Sequence, residues 1–424
     1  MEMNEPLDLQ YPKSNPTIIK VVGVGGGGGN AVNHMYKEGI QDVSFALCNT
    51  DNQALLRSPI PRKIQLGRTV TEGLGAGNRP MRAREAAEES IDEISALFDD
   101  GTKMVFITAG MGGGTGTGAA PVIARVAKEK DILTVGIVTI PFLFEGEKKI
   151  LQALDGVEEM SQYVDALLVI NNERLRQIYP DLHFLNAFGK ADDTLTTAAK
   201  SIAEIITVSG YINLDFADVN SILKDGGVAI MSSGFGQGER RVAKAIEDAL
   251  NSPLLNNNDV FGAKKVLFNL YFNSKSQLKM EEMSEVHDFM LKFGKDVEVI
   301  WGAAVDETLD DNIKIIILAT GFGISNLAQA SADKTKNETK TVESKKIETM
   351  YGDDSVKDLE RAKARASFVI LTPEQMDDDL LLDLIDKSPT YNREPQFLSK
   401  IQHASVAPVE PPAETPSADG IIRF

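Results

Sequence analysis

Gly110-Met111-Gly112-Gly113-Gly114-Thr115-Gly116-Thr117-Gly118 holds six Gly and two Thr in nine residues. An apolar run, Met104-Val105-Phe106-Ile107-Thr108, leads into it, and Ala119-Ala120-Pro121-Val122-Ile123-Ala124 leads out. That succession predicts a buried strand, a glycine loop and a helix. Glycine lets a backbone approach a ligand closely and aim several amide N–H groups at one anion. The helix N-terminus behind the loop adds its dipole and unpaired donors. The two Thr hydroxyls can donate to phosphate oxygens. A flexible glycine linker is the competing reading, but a linker would not be clamped between a buried strand and a helix.

Toward the N-terminus the pattern repeats. Ile18-Ile19-Lys20-Val21-Val22-Gly23-Val24-Gly25 is a β-rich run entering Gly26-Gly27-Gly28-Gly29-Asn30, with a helix expected to start at Ala31. Residues 43–48 read as a second strand ending at Asn49-Thr50-Asp51, and 64–66 as a short third. Gly73-Leu74-Gly75-Ala76-Gly77-Asn78-Arg79-Pro80 is another glycine-rich loop, and 82–98 has one apolar helical face. Beyond the central loop, 133–139 and 166–170 read as buried strands with a helix near 147–163 between them. Strands alternating with helices predict an α/β fold, a doubly wound and mostly parallel sheet. Such sheets bind ligands beyond the carboxyl ends of their strands, so the glycine loops and Asn49-Thr50-Asp51 should converge on one crevice.

The rest of the chain divides by composition. Residues 1–16, with Pro6, Pro12 and Pro16, read as a flexible arm and 17–191 as the nucleotide domain. Residues 192–209 read as a central helix and 210–326 as a smaller α+β domain. Strands are expected there at 228–232, 265–271, 297–303 and 313–320, and helices at 239–251 and 280–293. Residues 327–393 carry mixed charge without periodicity and read as a disordered linker. The remainder, 394–424, reads as a partner-binding tail. Its apolar islands are Pro395-Gln396-Phe397-Leu398-Ser399-Lys400 and Ile421-Ile422-Arg423-Phe424, with Leu380-Leu381-Leu382-Asp383-Leu384-Ile385 upstream.

A chain of 424 residues with 42% hydrophobic content can bury two cores. Its net charge of −18 and lack of a basic patch argue against nucleic-acid binding. The single Cys48 suits a reducing cytosol. The polar N-terminus does not resemble a signal peptide, and no apolar run reaches the ~18–20 residues that span a bilayer. These features point to the cytoplasm.

Gly23-Val24-Gly25-Gly26-Gly27-Gly28 satisfies the dinucleotide fingerprint, with Asp51 as a possible ribose acid. An NAD-dependent oxidoreductase is therefore one reading, although that fingerprint does not require a second glycine loop. A Walker P-loop is excluded, because neither loop ends in Lys followed by Ser or Thr. Phosphate charge must instead meet amides, helix dipoles and a metal, for which Mg²⁺ is suited. Asp215 and Asp218, spaced i and i+3, could share a face and hold a water or a cation, or could simply cap the next helix.

Six motifs together resemble the tubulin-like GTPases, and within them the FtsZ family of bacterial cell-division proteins. They are Gly112 to Gly118, Gly25 to Asn30, Asn49-Thr50-Asp51, Gly73 to Gly77, Pro141-Phe142-Leu143-Phe144-Glu145-Gly146 and Asn213-Leu214-Asp215-Phe216-Ala217-Asp218-Val219. The resemblance covers residues 17–324 in order. It implies that Gly26, Gly27, Gly28, Gly29 and Asn30 cradle the phosphates of GTP or GDP together with Gly112, Gly113, Gly114, Thr115, Gly116 and Thr117. Asn49, Asp51 and Gly75 belong to the same implied site. Glu145 matches the acid on the ribose. The usual Arg four residues on is Lys149 here, which keeps the charge and loses the bidentate fork. Asn172 matches an asparagine near ribose and base, and the Pro usual before it is Asn171. Phe188 matches the ring stacked on guanine, and Asp192, at the expected start of the central helix, the residue that reads it.

The resemblance further implies that Asn213, Asp215 and Asp218 enter the pocket of the next subunit in a head-to-tail homopolymer. Asp215 and Asp218 would polarise the attacking water there, so that assembly completes the active site. It implies Mg²⁺ with the nucleotide, and leaves open whether a monovalent cation joins the aspartates. It also implies membrane-tethering and regulatory division proteins as partners of the tail, at residues 394–400, with only indirect membrane contact at the mid-cell division site. A non-catalytic tubulin-like scaffold is a further alternative, against which the two aspartates argue.

Overall fold

The computed structural model describes residues 17–40, 42–179, 183–208, 210–252, 260–294, 296–322, 342–352 and 355. The arm at 1–16 and the islands of the tail lie outside the described residues.

Six parallel strands build the first half: β1 (Ile19–Val24), β2 (Val43–Asn49), β3 (Arg62–Gln65), β4 (Met104–Gly110), β5 (Leu133–Ile140) and β6 (Ala166–Asn171). Their order is β3-β2-β1-β4-β5-β6. All eight residues of β5 are buried, as a central strand covered on both faces by helices requires. The helices are α1 (Gly25–Glu38), α2 (Asn52–Arg57), α3 (Arg68–Thr71), α4 (Pro80–Glu89), α5 (Ile91–Ala96), α6 (Thr115–Glu129), α7 (Glu147–Ser161) and α8 (Asn172–Ile178). Strand order reverses between β1 and β4, which places a switch-point crevice at their carboxyl ends.

Two local expectations change. Helix α1 starts at Gly25, not Ala31, so the glycine run is its first turns. Close packing overrides glycine's poor helix propensity: a Cβ on Gly28 would lie 2.1 Å from the Thr108 carbonyl oxygen on β4. The helix expected over 82–98 is broken at Ser90, whose hydroxyl accepts the Gly67 N–H at 2.9 Å.

The central helix α9 (Phe184–Thr207) begins before Asp192. Beyond it come β7 (Gly210–Ile212), α10 (Phe216–Leu223), β8 (Gly227–Gly236), α11 (Arg241–Leu250), β9 (Lys265–Phe272), α12 (Met280–Met290), β10 (Glu298–Val305) and β11 (Ile313–Phe322). These strands continue the sheet in the order β8-β11-β9-β10-β7, joined through Ala166 with Gly227 and Leu167 with Val228. β11 is antiparallel to both neighbours, β9 and β10 are parallel, and β7 is an antiparallel edge. Leu195, Ala198 and Ile202 of α9 share one buried cluster with Val135 and Ile137 of β5 and with Met231, Leu267 and Leu318. One core therefore runs along α9 through both halves.

A further helix, α13 (Val342–Tyr351), falls inside the stretch expected to be a disordered linker. It packs on α7. Among its described side chains Ile347, Met350 and Tyr351, spaced i, i+3 and i+4, are buried. Among the described residues no helix is long and apolar enough to cross a membrane.

Candidate functional site

Helices α1 and α6 aim their N-termini into one cleft of about 320 Å³ beyond the carboxyl ends of the parallel strands. Neither helix carries an acidic residue in its first turn, so the unpaired N–H groups and dipoles of both ends remain available to an anion. Gly26, Gly27 and Asn30 of α1 line this end, opposite Gly113, Gly114, Thr115 and Gly116.

The loop between β4 and α6 is held from several sides. Gly112 has φ +93°, a left-handed conformation that favours glycine. Its N–H donates to the Thr117 hydroxyl at 2.9 Å, so Thr117 staples the loop and does not line the cleft. Gln152 on α7 donates its amide to the carbonyls of Gly112 and Gly113, each at 3.0 Å. The hydroxyls of Thr50 and Thr115 are 2.7 Å apart, which ties the end of β2 to the start of α6. Sequence reasoning gave Gln152 no role. Its contact is tertiary and carries no local signature.

The other end of the cleft is polar on one wall and aromatic on the other. Glu145 accepts from the Phe142 N–H at 2.9 Å and from the Lys149 ammonium at 2.5 Å. Asn172 is buried, and among the described residues its Oδ1 has no hydrogen-bond partner. An orphaned acceptor lining a cleft suits a ligand that donates. Phe188 is 38% exposed and packs edge-on to Phe142, with ring centroids 5.2 Å apart. Asp192 lies inside α9, not at its N-cap, because the helix has already begun at Phe184. Burial pushes its carboxyl up to about 6; His34 opposes the rise and Asp193 adds to it. Glu145, Lys149, Asn172, Phe188 and Asp192 all line this end.

Several residues of the implied site lie back from the cleft. Gly28 and Asn49 are buried, and Gly29, Gly75 and Gly112 are not among the lining residues. The Asn49 side chain accepts the Asp51 N–H at 3.2 Å. Asp51 caps α2 by accepting from Gln53 and Ala54. Cys48 is buried in β2, where burial first and the Glu93 charge second push its thiol up to about 12. It is no nucleophile.

Asn213, Asp215 and Asp218 do not line this cleft. Asp215 caps α10 through Ala217 and Asp218, while Asp218 accepts the Asp215 N–H at 2.9 Å. This reciprocal box uses one oxygen of each carboxylate. Asn213 accepts the Gly210 N–H at 3.0 Å. Phe216 and Asn220 of α10 line a second cavity with Thr102, Lys103, Leu133 and Asp165, which lie at the amino ends of β4, β5 and β6. The aspartate segment thus stands at the opposite end of the sheet from the glycine loops.

Comparison with known proteins gives this arrangement a family. Residues 18–180 match the Tubulin/FtsZ family GTPase domain, and 227–323 match the FtsZ family C-terminal domain. The cell division protein FtsZ of Porphyromonas gingivalis is 52% identical over 94% of this chain and 91% of its own length. A solved empty FtsZ dimer from M. jannaschii is 40% identical, with TM-score 0.67 over 74% of this chain and 90% of that one. A CetZ2 protofilament from Haloferax volcanii, 16% identical with TM-score 0.64 over 82% and 99%, shares the fold. The two helix ends on one cleft, the α9 core and these matches agree: the chain belongs to the FtsZ family of tubulin-like GTPases.

Proposed function

We propose that the chain binds GTP in the cleft and hydrolyses it to GDP and phosphate within a head-to-tail homopolymer at the bacterial division site. The observation carrying this reading is the separation of the two parts along one sheet. The glycine loops occupy its carboxyl end, and Asn213, Asp215 and Asp218 its amino end. Stacking one copy on the next brings the parts together, and such a heterologous contact repeats into an open filament. The dimer form of the M. jannaschii relative is consistent with self-association.

Within the shared site the amides of Gly26, Gly27 and Gly113 to Gly116 would take the phosphates. Glu145 would accept from the ribose, Lys149 would offset charge, Asn172 would accept from ribose or base, Phe188 would stack and Asp192 would read guanine. The neighbour's Asp215 and Asp218 would orient and polarise water, so catalysis is mainly positioning and electrostatics. Among the described residues no group of three His, Cys, Asp or Glu could hold a metal. Mg²⁺, which keeps several waters and pairs with phosphates, fits such a site. Asn30 and Thr115 bring side-chain oxygens to that end, and the ion would offset phosphate charge. Residues 394–400, outside the described residues, would bind tethering and regulatory division proteins. The oxidoreductase reading is disfavoured because residues 18–180, which contain the dinucleotide-like fingerprint, match the Tubulin/FtsZ GTPase domain. Binding of NAD in preference to GTP at equilibrium would reverse this choice.

Assembly dependence has a direct test. Thr115→Trp fills the phosphate end of the pocket, and Asp218→Ala empties the opposite end. Each variant alone should be inactive, and their mixture should regain turnover where an intact pocket meets an intact Asp218. No recovery from folded, co-assembling variants would sink the shared site.

Base recognition predicts a pH dependence. Guanine donates N–H groups, which an ionised Asp192 accepts and a protonated one accepts less well. The carboxyl sits near 6 in the free protein. GTP affinity should therefore fall several-fold as pH drops from 7.5 to 5, and Asp192→Asn should flatten the profile. Titration calorimetry across that range measures it, and a flat wild-type profile would remove Asp192 from base recognition.

A further inference from the structure

Helix α13 touches the back of the nucleotide cleft at two points. Tyr351, 4% exposed, donates its hydroxyl to the Pro141 carbonyl at 2.6 Å. Asn171 donates its amide to the Met350 carbonyl at 2.7 Å. Both acceptor and donor adjoin the cleft. Pro141 lines it and opens the turn that carries Glu145, and Asn171 precedes Asn172. On the outer side Lys346 donates to Asp155 at 2.8 Å and to Glu158 at 3.0 Å, both on α7. The same α7 sends Gln152 to the phosphate loop.

The turn at 141–146 is consequently pinned along its length. The Phe142 N–H is held by Glu145, the Leu143 N–H by Glu173 at 3.0 Å, and the Pro141 carbonyl by Tyr351. Asn171 divides its side chain between two tasks. Its oxygen caps α8 through the Glu173 N–H, and its nitrogen anchors α13. A proline at 171 could do neither. Burial, with the charges of Glu145 and Glu173 adding to it, drives the Tyr351 hydroxyl pKa upward, so this donor stays protonated.

We propose that α13 is a brace for the nucleotide cleft supplied by the chain beyond the C-terminal domain, and that Tyr351 is its positioning residue. The inference rests on the cleft's being the GTP site. Docked, the helix fixes the ribose-side turn and the start of α8, and so holds Glu145 and Asn172 in the geometry the nucleotide needs. Undocked, it frees both, and bound nucleotide leaves faster. The residues after α13 lead toward the proposed partner-binding tail, so a partner that pulls α13 away would set the rate of nucleotide exchange.

The test measures release of labelled GDP from the full-length chain during a chase with excess unlabelled GTP. Tyr351→Phe keeps the ring and deletes the donor. Loss of one such hydrogen bond should speed release roughly three- to tenfold. Ile347→Asp places a charge on the buried docking face and should speed it at least as much. Thermal unfolding is followed in parallel. Faster release with an unchanged main transition supports the brace. Unchanged release in both folded variants, or lower melting temperatures with unchanged release, overturns it and leaves α13 with a stabilising role only. A wild-type chain that takes up no GDP is a separate result, and removes the nucleotide reading together with the brace.

Discussion

Asp218→Asn is expected to bind GTP with wild-type affinity and to lose turnover by roughly 10²- to 10⁴-fold, the range for removing a positioned catalytic base. The substitution is chosen because the Asp218 side chain has a structural use. It accepts the Asp215 N–H across the first turn of α10, and an asparagine oxygen can accept the same bond. The cap, the fold and the loop remain, and only the charge goes. Asp218→Ala would also leave the Asp215 N–H without its partner in the capping box, and so would mix two effects. If Asp218 serves α10 alone, steady-state phosphate release from the assembled asparagine variant should match wild type. The chemical reading requires the opposite, a protein that still assembles and scarcely turns over.

The second large effect is expected at Gly116→Ala. A Cβ there would lie 2.4 Å from the Gly110 carbonyl oxygen and 3.3 Å from its carbon. Both are backbone atoms, so relief requires α6 to move away from β4 by about 1 Å. Overpacking of this kind costs typically ~1–3 kcal/mol, which a domain with so extensive a core can absorb. Function should be less tolerant, because the shift occurs where the α6 amides would meet the phosphates on the proposed reading. A misplacement of about 1 Å costs on the order of 10²-fold. Equilibrium GTP binding should weaken by about that factor while circular dichroism stays native. Wild-type affinity in the alanine variant would mean that α6 takes no part in phosphate binding.

Much of this site was legible in the sequence because it is built from backbone. Glycines at 110–118 after an apolar strand admit few other uses; the structure spreads them over the end of β4, the loop at 111–114 and the first turn of α6, which starts at Thr115 and not after the run. The capping alternative for Asp215 and Asp218 was also legible, and the structure realises it. Such a cap does not compete with a second use for the free oxygens. The start of α9 was missed because Asp192 looks like a capping residue. The better signal was the spacing of Phe184, Phe188, Ala191 and Leu195, which already follows a helical stripe. Helix α13 was missed for a different reason. Among its described side chains the apolar face is Ile347, Met350 and Tyr351, in a run of Lys, Glu, Thr and Ser. Such a face is too small to specify a helix alone and orders against α7, Pro141 and Asn171. Thr50 and Gln152 show the remaining limit, since each acts on a loop far away in sequence.

Helix α9 carries Asp192 near its beginning, and its last turn leads through β7 into Asn213-Leu214-Asp215. Its 24 residues make a rod of about 36 Å. In a stack of such molecules this rod is a ruler. On the proposed head-to-tail stacking, it would set the spacing between the nucleotide a molecule holds and the one it would help to cleave. It would also set their angular phase. A single residue inserted into α9 would lengthen the rod by only about 1.5 Å but turn everything beyond it by about 100°. The spacing of the stack would hardly change, while the aspartates would face away from the phosphate they must reach.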